Sequence, residues 1–199
     1  MAHHNLTAIL HRHRRTIYGT MGIVLLVVLI FTFIQPRQYR ATTRLLIIQK
    51  EGPALDAYSA LKSSERIGMS LSQLIETSSF FADVVLRNPS FGQSFSDDAT
   101  VRRRQWQRTV DARVTAGTGI LAIETYHRQN DQALLLADAV AATVQQRAAQ
   151  FWSGSVQTQI VDFPVVSKYP ARPNIPLNIV AALFFGALLS GVIIVIRER

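Results

Sequence analysis

The chain has 199 residues and a formal net charge of +8, and 48% of its residues are hydrophobic. It contains no cysteine, which excludes disulfide frameworks, thiolate metal sites and cysteine nucleophiles. Two long apolar segments leave about 140 residues between them, which is enough for one modest domain with its own core.

The positive charge is spread along the chain. The part between the apolar segments holds sixteen Lys/Arg and twelve Asp/Glu, and most of the remaining charge lies near the two ends. Flanking cations of this kind are typical of membrane proteins. The tight basic run at residues 102–104 has no interleaved aromatic residue beyond Trp106, so it predicts a solvated face and no nucleic-acid partner.

The N-terminal region predicts a basic cytoplasmic tail followed by a membrane span. Residues 1–16 are rich in His and Arg, and without accompanying carboxylates they predict a flexible tail and no metal site. Residues 17–34 are uncharged, long enough for a transmembrane helix. A cleaved signal peptide is the alternative, but the run exceeds an h-region of about 7–15 residues and no small-residue cleavage site follows it.

Residues 35–163 predict an extracytoplasmic domain that begins with a strand and a helix. Alternation from Tyr39 to Ile47 indicates a strand, which Gly52-Pro53 would end, and Asp56 could cap the next helix. Apolar residues from Leu61 to Val85 approximate one helical stripe, bent at Ser78-Ser79 and ended by Asn88-Pro89. Residues 88–100 predict a loop that leads into a short helix through Trp106.

The second half of the domain predicts a hairpin, a helix and a strand. Val110, Ala112 and Val114 alternate, Gly117 and Gly119 indicate a turn, and the residues from 120 to 125 alternate again. A helix should begin at Asn130-Asp131, and residues 156–166 should form the last strand. The predicted apolar face of that helix consists of Leu134, Ala137, Ala141, Val144, Ala148 and Phe151.

The order strand, helix, strand, strand, helix, strand is that of a ferredoxin-like βαββαβ unit of the α+β class. Both helices would pack on one face of its sheet. Its first and last strands would connect directly to the two membrane spans.

A proline-rich linker at residues 164–178 leads into a second transmembrane helix at residues 179–196, which a cytoplasmic tail at residues 197–199 follows. The prolines remove backbone donors and fix φ, so the linker should be extended and non-helical. They are Pro164, Pro170, Pro173 and Pro176.

Small residues in the second span could let two membrane helices approach closely. Ala182, Gly186 and Ser190 recur every four residues, and Gly191 lies on an adjoining stripe. The alternative, that small residues are simply common in membrane helices, has equal weight from this pattern alone. Counting flanking cations does not settle the topology, but a long intervening domain is usually translocated, so both termini should be cytoplasmic.

The sequence shows no catalytic grouping. Asp97-Asp98 could be a metal or acid/base pair, but these residues lie in a polar stretch without a third ligand and predict solvated carboxylates. His127 precedes the predicted start of a helix, which favours an exposed turn residue over a catalytic base. We therefore expect no enzyme activity and no cofactor, but a protein that acts through binding and assembly.

Pro170, Pro173 and Pro176 ahead of a final helix that contains Gly186 and Gly191 resemble the C-terminal signature of polysaccharide co-polymerases. This family comprises Wzz-type chain length determinants and the related membrane adaptors of bacterial tyrosine kinases. A Tyr-Arg-Ala strand at residues 39–41 and the Gly117-Thr118 pair are also similar to the family. The chain departs from it by lacking a long helical hairpin and by having a short C-terminal tail.

The resemblance implies a homo-oligomer of the bacterial plasma (inner) membrane that regulates chain length, polymerisation or export of a surface polysaccharide. That polysaccharide would be lipopolysaccharide O-antigen, capsule or exopolysaccharide. The implied partners are a polymerase, export proteins or a tyrosine kinase, and the polysaccharide itself. The alternative is a two-span extracytoplasmic sensor, which would need a separate partner because three residues after the second span cannot form an output module.

Overall fold

The computed structural model describes residues 13–49, 57–152 and 155–198. The residues from 38 to 171 form one compact unit, the central unit. The residues up to Arg37 and from Arg172 onward form another, the helical unit. Gly52, Pro53 and Asp56, which were predicted to end a strand and cap a helix, lie outside the described residues.

The described residues form six α-helices, a 3₁₀ helix and four strands. The helices are α1 (Arg14–Ile34), α2 (Ala57–Ile75), α3 (Ser78–Arg87), α4 (Ala99–Thr109), α5 (Asn130–Phe151) and α6 (Ile175–Glu198), with the 3₁₀ helix at Pro89–Ser94. The strands are β1 (Tyr39–Gln49), β2 (Val110–Thr115), β3 (Ile120–His127) and β4 (Val156–Val166). The predicted α+β class and the predicted last strand are confirmed.

The four strands form one antiparallel sheet in the order β2-β3-β1-β4. The alternation read from the sequence sets its two faces, because successive side chains of a strand point to opposite sides. In β1, Ala41 and Leu45 are fully buried whereas Arg40 and Arg44 are exposed. Gly117 and Gly119 have φ of 71° and 64°, as the predicted β2–β3 turn requires.

The core lies between the inner face of the sheet and the helices. Leu45 and Ile47 of β1 pack there with Leu71 of α2 and Val140 of α5. The indole Nε1 of Trp106 in α4 donates a 2.7 Å hydrogen bond to the carbonyl of Ile75. That carbonyl belongs to the last residue of α2, where no partner within the helix is available.

The predicted single helix from Leu61 to Val85 is wrong, because the structure has two helices separated at Thr77. The Thr77 hydroxyl accepts a hydrogen bond from Phe80 N at 3.3 Å, so this residue caps the N-terminus of α3. The predicted loop at residues 88–100 is also too long. It contains the 3₁₀ helix, whose first turn is held by a 3.2 Å hydrogen bond from Ser90 N to Asn88 Oδ1.

The apolar face predicted for α5 is correct at its centre and wrong at both ends. Ala137, Ala141, Val144 and Ala148 are buried, but Leu134 and Phe151 are 38% and 57% exposed. The face that contacts the sheet also includes Ala133, Leu136 and Val140. The buried face is therefore broader than the single stripe that steps of three and four residues predict. It includes Ala133 and Leu136, and it leaves Leu134 at its exposed edge.

Candidate functional site

In the helical unit, α1 and α6 are both long and apolar enough to cross a membrane. Along α6, buried residues recur every four positions, and Ala182 and Ser190 are only 2% and 3% exposed. A Cβ atom on Gly186 would lie 3.0 Å from Met21 Cα. These residues therefore form the surface of α6 that packs against α1 within one chain.

Gly191 lies elsewhere on α6. A Cβ atom built on it meets no other atom within 4 Å, so its surface is open in this chain. The four small residues predicted to pack together thus divide into a buried set, Ala182, Gly186 and Ser190, and an outward-facing Gly191. The predicted role of Gly191 in packing between copies stays a prediction.

A polar contact that the sequence analysis missed joins the two apolar helices. The side-chain amide of Asn178 donates a 3.0 Å hydrogen bond to Thr32 Oγ1, and that hydroxyl donates to the Val28 carbonyl at 2.7 Å. Thr32 is buried. The sequence could have indicated this contact, because polar side chains within an apolar span usually form hydrogen bonds to a neighbouring helix.

The four prolines of the predicted linker occupy three kinds of structure. Pro164 lies within β4, an edge strand, where a missing backbone donor is tolerated. Pro170 and Pro173 lie between β4 and α6. Pro176 is the second residue of α6, so the prediction that all four are non-helical is wrong for this residue.

The first turn of α6 accepts Pro176 because the backbone N–H groups there have no partner within the helix. Asn174 precedes that turn, and its Oδ1 accepts a 3.3 Å hydrogen bond from Leu177 N. The earlier part of the segment is fixed by backbone bonds, from Ser167 N to the Arg40 carbonyl at 2.7 Å and from Ala171 N to the Gln38 carbonyl at 2.8 Å. The linker is therefore an ordered extension beside the start of β1.

Asp97 and Asp98 do not form a paired site. Asp98 is the N-cap of α4, and its Oδ1 accepts hydrogen bonds from Thr100 N at 2.8 Å and Val101 N at 2.9 Å. Within the described ranges, no group of three or more metal-ligating side chains occurs.

His127 differs from the exposed turn residue that was predicted. It is the last residue of β3 and is half-buried, and its Nδ1 accepts a 3.1 Å hydrogen bond from Gln129 N. Burial is the main cause that holds its pKa below the ordinary value. The neighbouring Arg128 lowers the pKa further, and a backbone interaction with Gln129 acts in the opposite direction.

The three arginines of the basic run on α4 differ in their exposure to solvent. Arg103 and Arg104 are exposed, as a solvated face requires. Arg102 is half-buried and its Nη1 donates to the Asp97 carbonyl at 3.0 Å.

A family model described as Wzz, chain length determinant protein, matches residues 4–98. The matched range contains α1, β1, α2, α3 and the 3₁₀ helix, and it does not include the proline segment or α6. Among individual curated proteins, none matches the chain significantly.

The match supports a role in polysaccharide chain-length determination, and with the two apolar helices it indicates an inner-membrane protein. It also confirms the resemblance drawn from the sequence, although the proline motif that suggested it lies outside the matched range. Over residues 4–98, slightly less than half of its length, the chain is therefore similar to the Wzz-type family of chain length determinant proteins.

Proposed function

We propose that this protein is a non-catalytic regulator of the chain length, polymerisation or export of a surface polysaccharide. The observation that carries the proposal is the family match over residues 4–98. The pair of apolar helices joined by the Asn178–Thr32 hydrogen bond supports it, because such a pair can hold both ends of the central unit at a membrane.

The proposal includes the arrangement of the chain in the membrane. Both termini are cytoplasmic, and the central unit is extracytoplasmic. The central unit is a ferredoxin-like domain, which its sheet order β2-β3-β1-β4 supports, with α3, the 3₁₀ helix and α4 inserted between α2 and β2.

The protein acts by forming a homo-oligomer that contacts the polymerase, the export proteins or a bacterial tyrosine kinase. Pro164, Pro170, Pro173 and Pro176 belong to the proposed contact region. Since Ala182, Gly186 and Ser190 face α1 within one chain, contacts between the α6 helices of different copies would use the outward stripe of Gly191. The polysaccharide is O-antigen, capsule or exopolysaccharide.

The test is the size distribution of surface polysaccharide on a gel. We compare a deletion strain with strains rescued by the wild type, by Pro170→Ala/Pro173→Ala, and by Pro89→Ala. Pro89 serves as the control because it begins the 3₁₀ helix and is not one of the four prolines of the proposed contact region.

The proposal expects a lost or shifted modal length in the deletion strain, restored by the wild type and by Pro89→Ala but not by the double variant. Unaltered polysaccharide in the deletion strain would overturn the function. Full rescue by the double variant would overturn only the proposed role of the prolines and would leave the proposed function standing.

A further inference from the structure

A cavity of about 480 Å³ opens on the central unit. Its lining comes from the 3₁₀ helix, the end of α4 and the end of β3, with Gln38 ahead of β1 and Leu136 of α5. This volume lies within the range of about 300–1,000 Å³ that is typical of small-molecule sites.

The charged residues of the cavity lining are all basic. They are Arg108, His127 and Arg128. No Asp or Glu lines the cavity among the described residues, and Arg128 forms no ion pair with any carboxylate in that part of the chain. A guanidinium that no protein carboxylate neutralises is suited to a carboxylate or phosphate ligand.

The neutral polar groups of the lining also favour an acceptor-rich ligand. Because Nδ1 of His127 accepts from Gln129 N, the neutral imidazole carries its proton on Nε2 and can donate there. The Oε1 of Gln105 accepts a 2.9 Å hydrogen bond from Ser96 N, which fixes the carboxamide and leaves its Nε2 amide group as a donor. These groups match the oxygen atoms of an anion or of sugar hydroxyls.

Aromatic rings supply a rigid apolar surface. Phe91 and Phe95 line the cavity. The ring of Phe95 packs edge-on against Phe81, with a centroid distance of 4.9 Å, and lies 6.1 Å from the Trp106 ring. Trp106 is itself held by its buried hydrogen bond to Ile75. The C–H face of a sugar ring packs on such a surface, and a fixed surface loses little entropy when a ligand binds.

We infer that this cavity binds an acidic sugar, a hexuronate or a sugar phosphate, with its anionic group at Arg108 and Arg128 and its ring on the phenylalanines. The choice of a sugar over other anionic rings rests on the proposed function. The two ligand classes share an anionic group on a hydroxylated ring.

The inference is tested by titrating the full-length protein, purified in detergent, with glucuronate, glucose 1-phosphate, glucose and inorganic phosphate. Binding is followed by calorimetry and by saturation-transfer NMR. We expect at least one of the two acidic sugars to bind more tightly than both glucose and inorganic phosphate. Arg108→Gln and Arg128→Gln should each weaken that binding at least about tenfold.

Arg103→Gln is the matched control, because Arg103 is an exposed residue of α4 that does not line the cavity. It should leave the affinity unchanged, and Arg128→Gln and Arg103→Gln should keep the wild-type unfolding midpoint. If inorganic phosphate binds as tightly as the acidic sugars, the inference that the ligand needs a sugar ring is wrong. If glucose binds as tightly, the inference that it needs an anionic group is wrong. Absence of binding, or equal weakening by Arg103→Gln, would overturn the site.

The failure of this inference is distinguishable from the failure of the proposed function. Normal polysaccharide lengths in the deletion strain, together with acidic-sugar binding, would remove the function and leave the site. Altered lengths in the deletion strain, together with no binding by the purified protein, would remove the site and leave the function.

Discussion

The adjacent carboxylates Asp97 and Asp98 differ in what their side chains contact. The carboxylate of Asp98 satisfies two backbone N–H groups in the first turn of α4. We predict that Asp98→Ala lowers the free energy of unfolding by about 0.5–2 kcal/mol, the usual cost of losing an N-cap. Denaturant unfolding of the detergent-purified protein measures this change.

Asp97→Ala is the control for that prediction. Among the described residues the Asp97 side chain accepts no hydrogen bond, and only its carbonyl is used, by Arg102. An alanine keeps that carbonyl, so stability should stay within about 0.5 kcal/mol of the wild type. Equal losses from the two substitutions would contradict the capping role of Asp98.

His127 should make stability depend on pH. Burial holds the pKa of His127 below its ordinary 6.5, so the unfolded chain binds this proton more tightly than the folded chain does. The stabilisation is complete above pH 6.5 and is lost as the pH falls from 6.5 through the folded-state pKa. Protonation also removes the acceptor that Gln129 N uses.

The measurement compares the wild type with His127→Asn at about pH 7.5 and about pH 5. Subtracting the variant cancels the carboxylates and the other histidines, which titrate in both proteins. The wild type should lose more stability than the variant on acidification. A difference that is independent of pH, or that favours the wild type at acidic pH, would refute the assignment.

At the scale of elements, the two glycines of α6 predict different effects on the pairing of α1 with α6. A Cβ atom at Gly186 would press on the Met21 backbone, whereas one at Gly191 meets open space. Gly186→Val should therefore weaken the helix pair by about 1–3 kcal/mol, the usual cost of overpacking. Gly191→Val should leave the pair intact within one chain.

The absence of native cysteine makes the pairing measurable. Thr32→Cys and Asn178→Cys replace two residues whose side chains are in contact, with Asn178 Nδ2 3.0 Å from Thr32 Oγ1, so oxidation should join the two thiols in membranes. Gly186→Val should slow that disulfide at least about fivefold, and Gly191→Val should not. Equal rates for the two glycine variants would refute the orientation of α6.

The strands were the elements most readily predicted from the sequence. Alternation is a strictly local property, so the sequence placed Leu121, Ile123 and Thr125 on one face of the strand, and the structure shows that this face is buried. The order of the strands in the sheet needs pairing between distant parts of the chain. The sequence alone could suggest that order only through the βαββαβ pattern.

The helix errors have a common cause. A stripe of apolar residues indicates a helix but not the position at which it breaks or the surface that it contacts. The break at Thr77 depends on a side-chain cap that Ser78-Ser79 obscured, and the exposure of Leu134 depends on how α5 lies on the sheet. For the same reason the spacing could not separate Gly186 from Gly191.

The parts of the candidate site that could be predicted were those formed by residues close together in the sequence. The prolines and small residues were visible as motifs. The lining of the cavity was not, because Gln38, Phe95, Arg108 and His127 come from separate elements that only the fold brings together. Arg108 and Arg128 are twenty positions apart and carry no motif.

At the scale of the whole molecule, the distribution of charge left the topology open, so the proposed arrangement needs a direct test. Leu86 of α3 is 80% exposed, and a thiol there would report on the compartment of the central unit. A thiol at Asn5 would report on the N-terminal region. With no native cysteine, each single variant carries one label site.

We predict that a membrane-impermeant maleimide labels Leu86→Cys in intact spheroplasts, and that it labels Asn5→Cys only after the membrane is opened. A domain of about 140 residues is expected to be translocated irrespective of its own charge. Full labelling of both variants in lysed membranes is the control for thiol reactivity. Labelling of Asn5→Cys in intact spheroplasts, with protection of Leu86→Cys, would place the central unit in the cytoplasm. The same result would refute the proposed arrangement of the chain, because that arrangement has both termini in the cytoplasm and the central unit outside it.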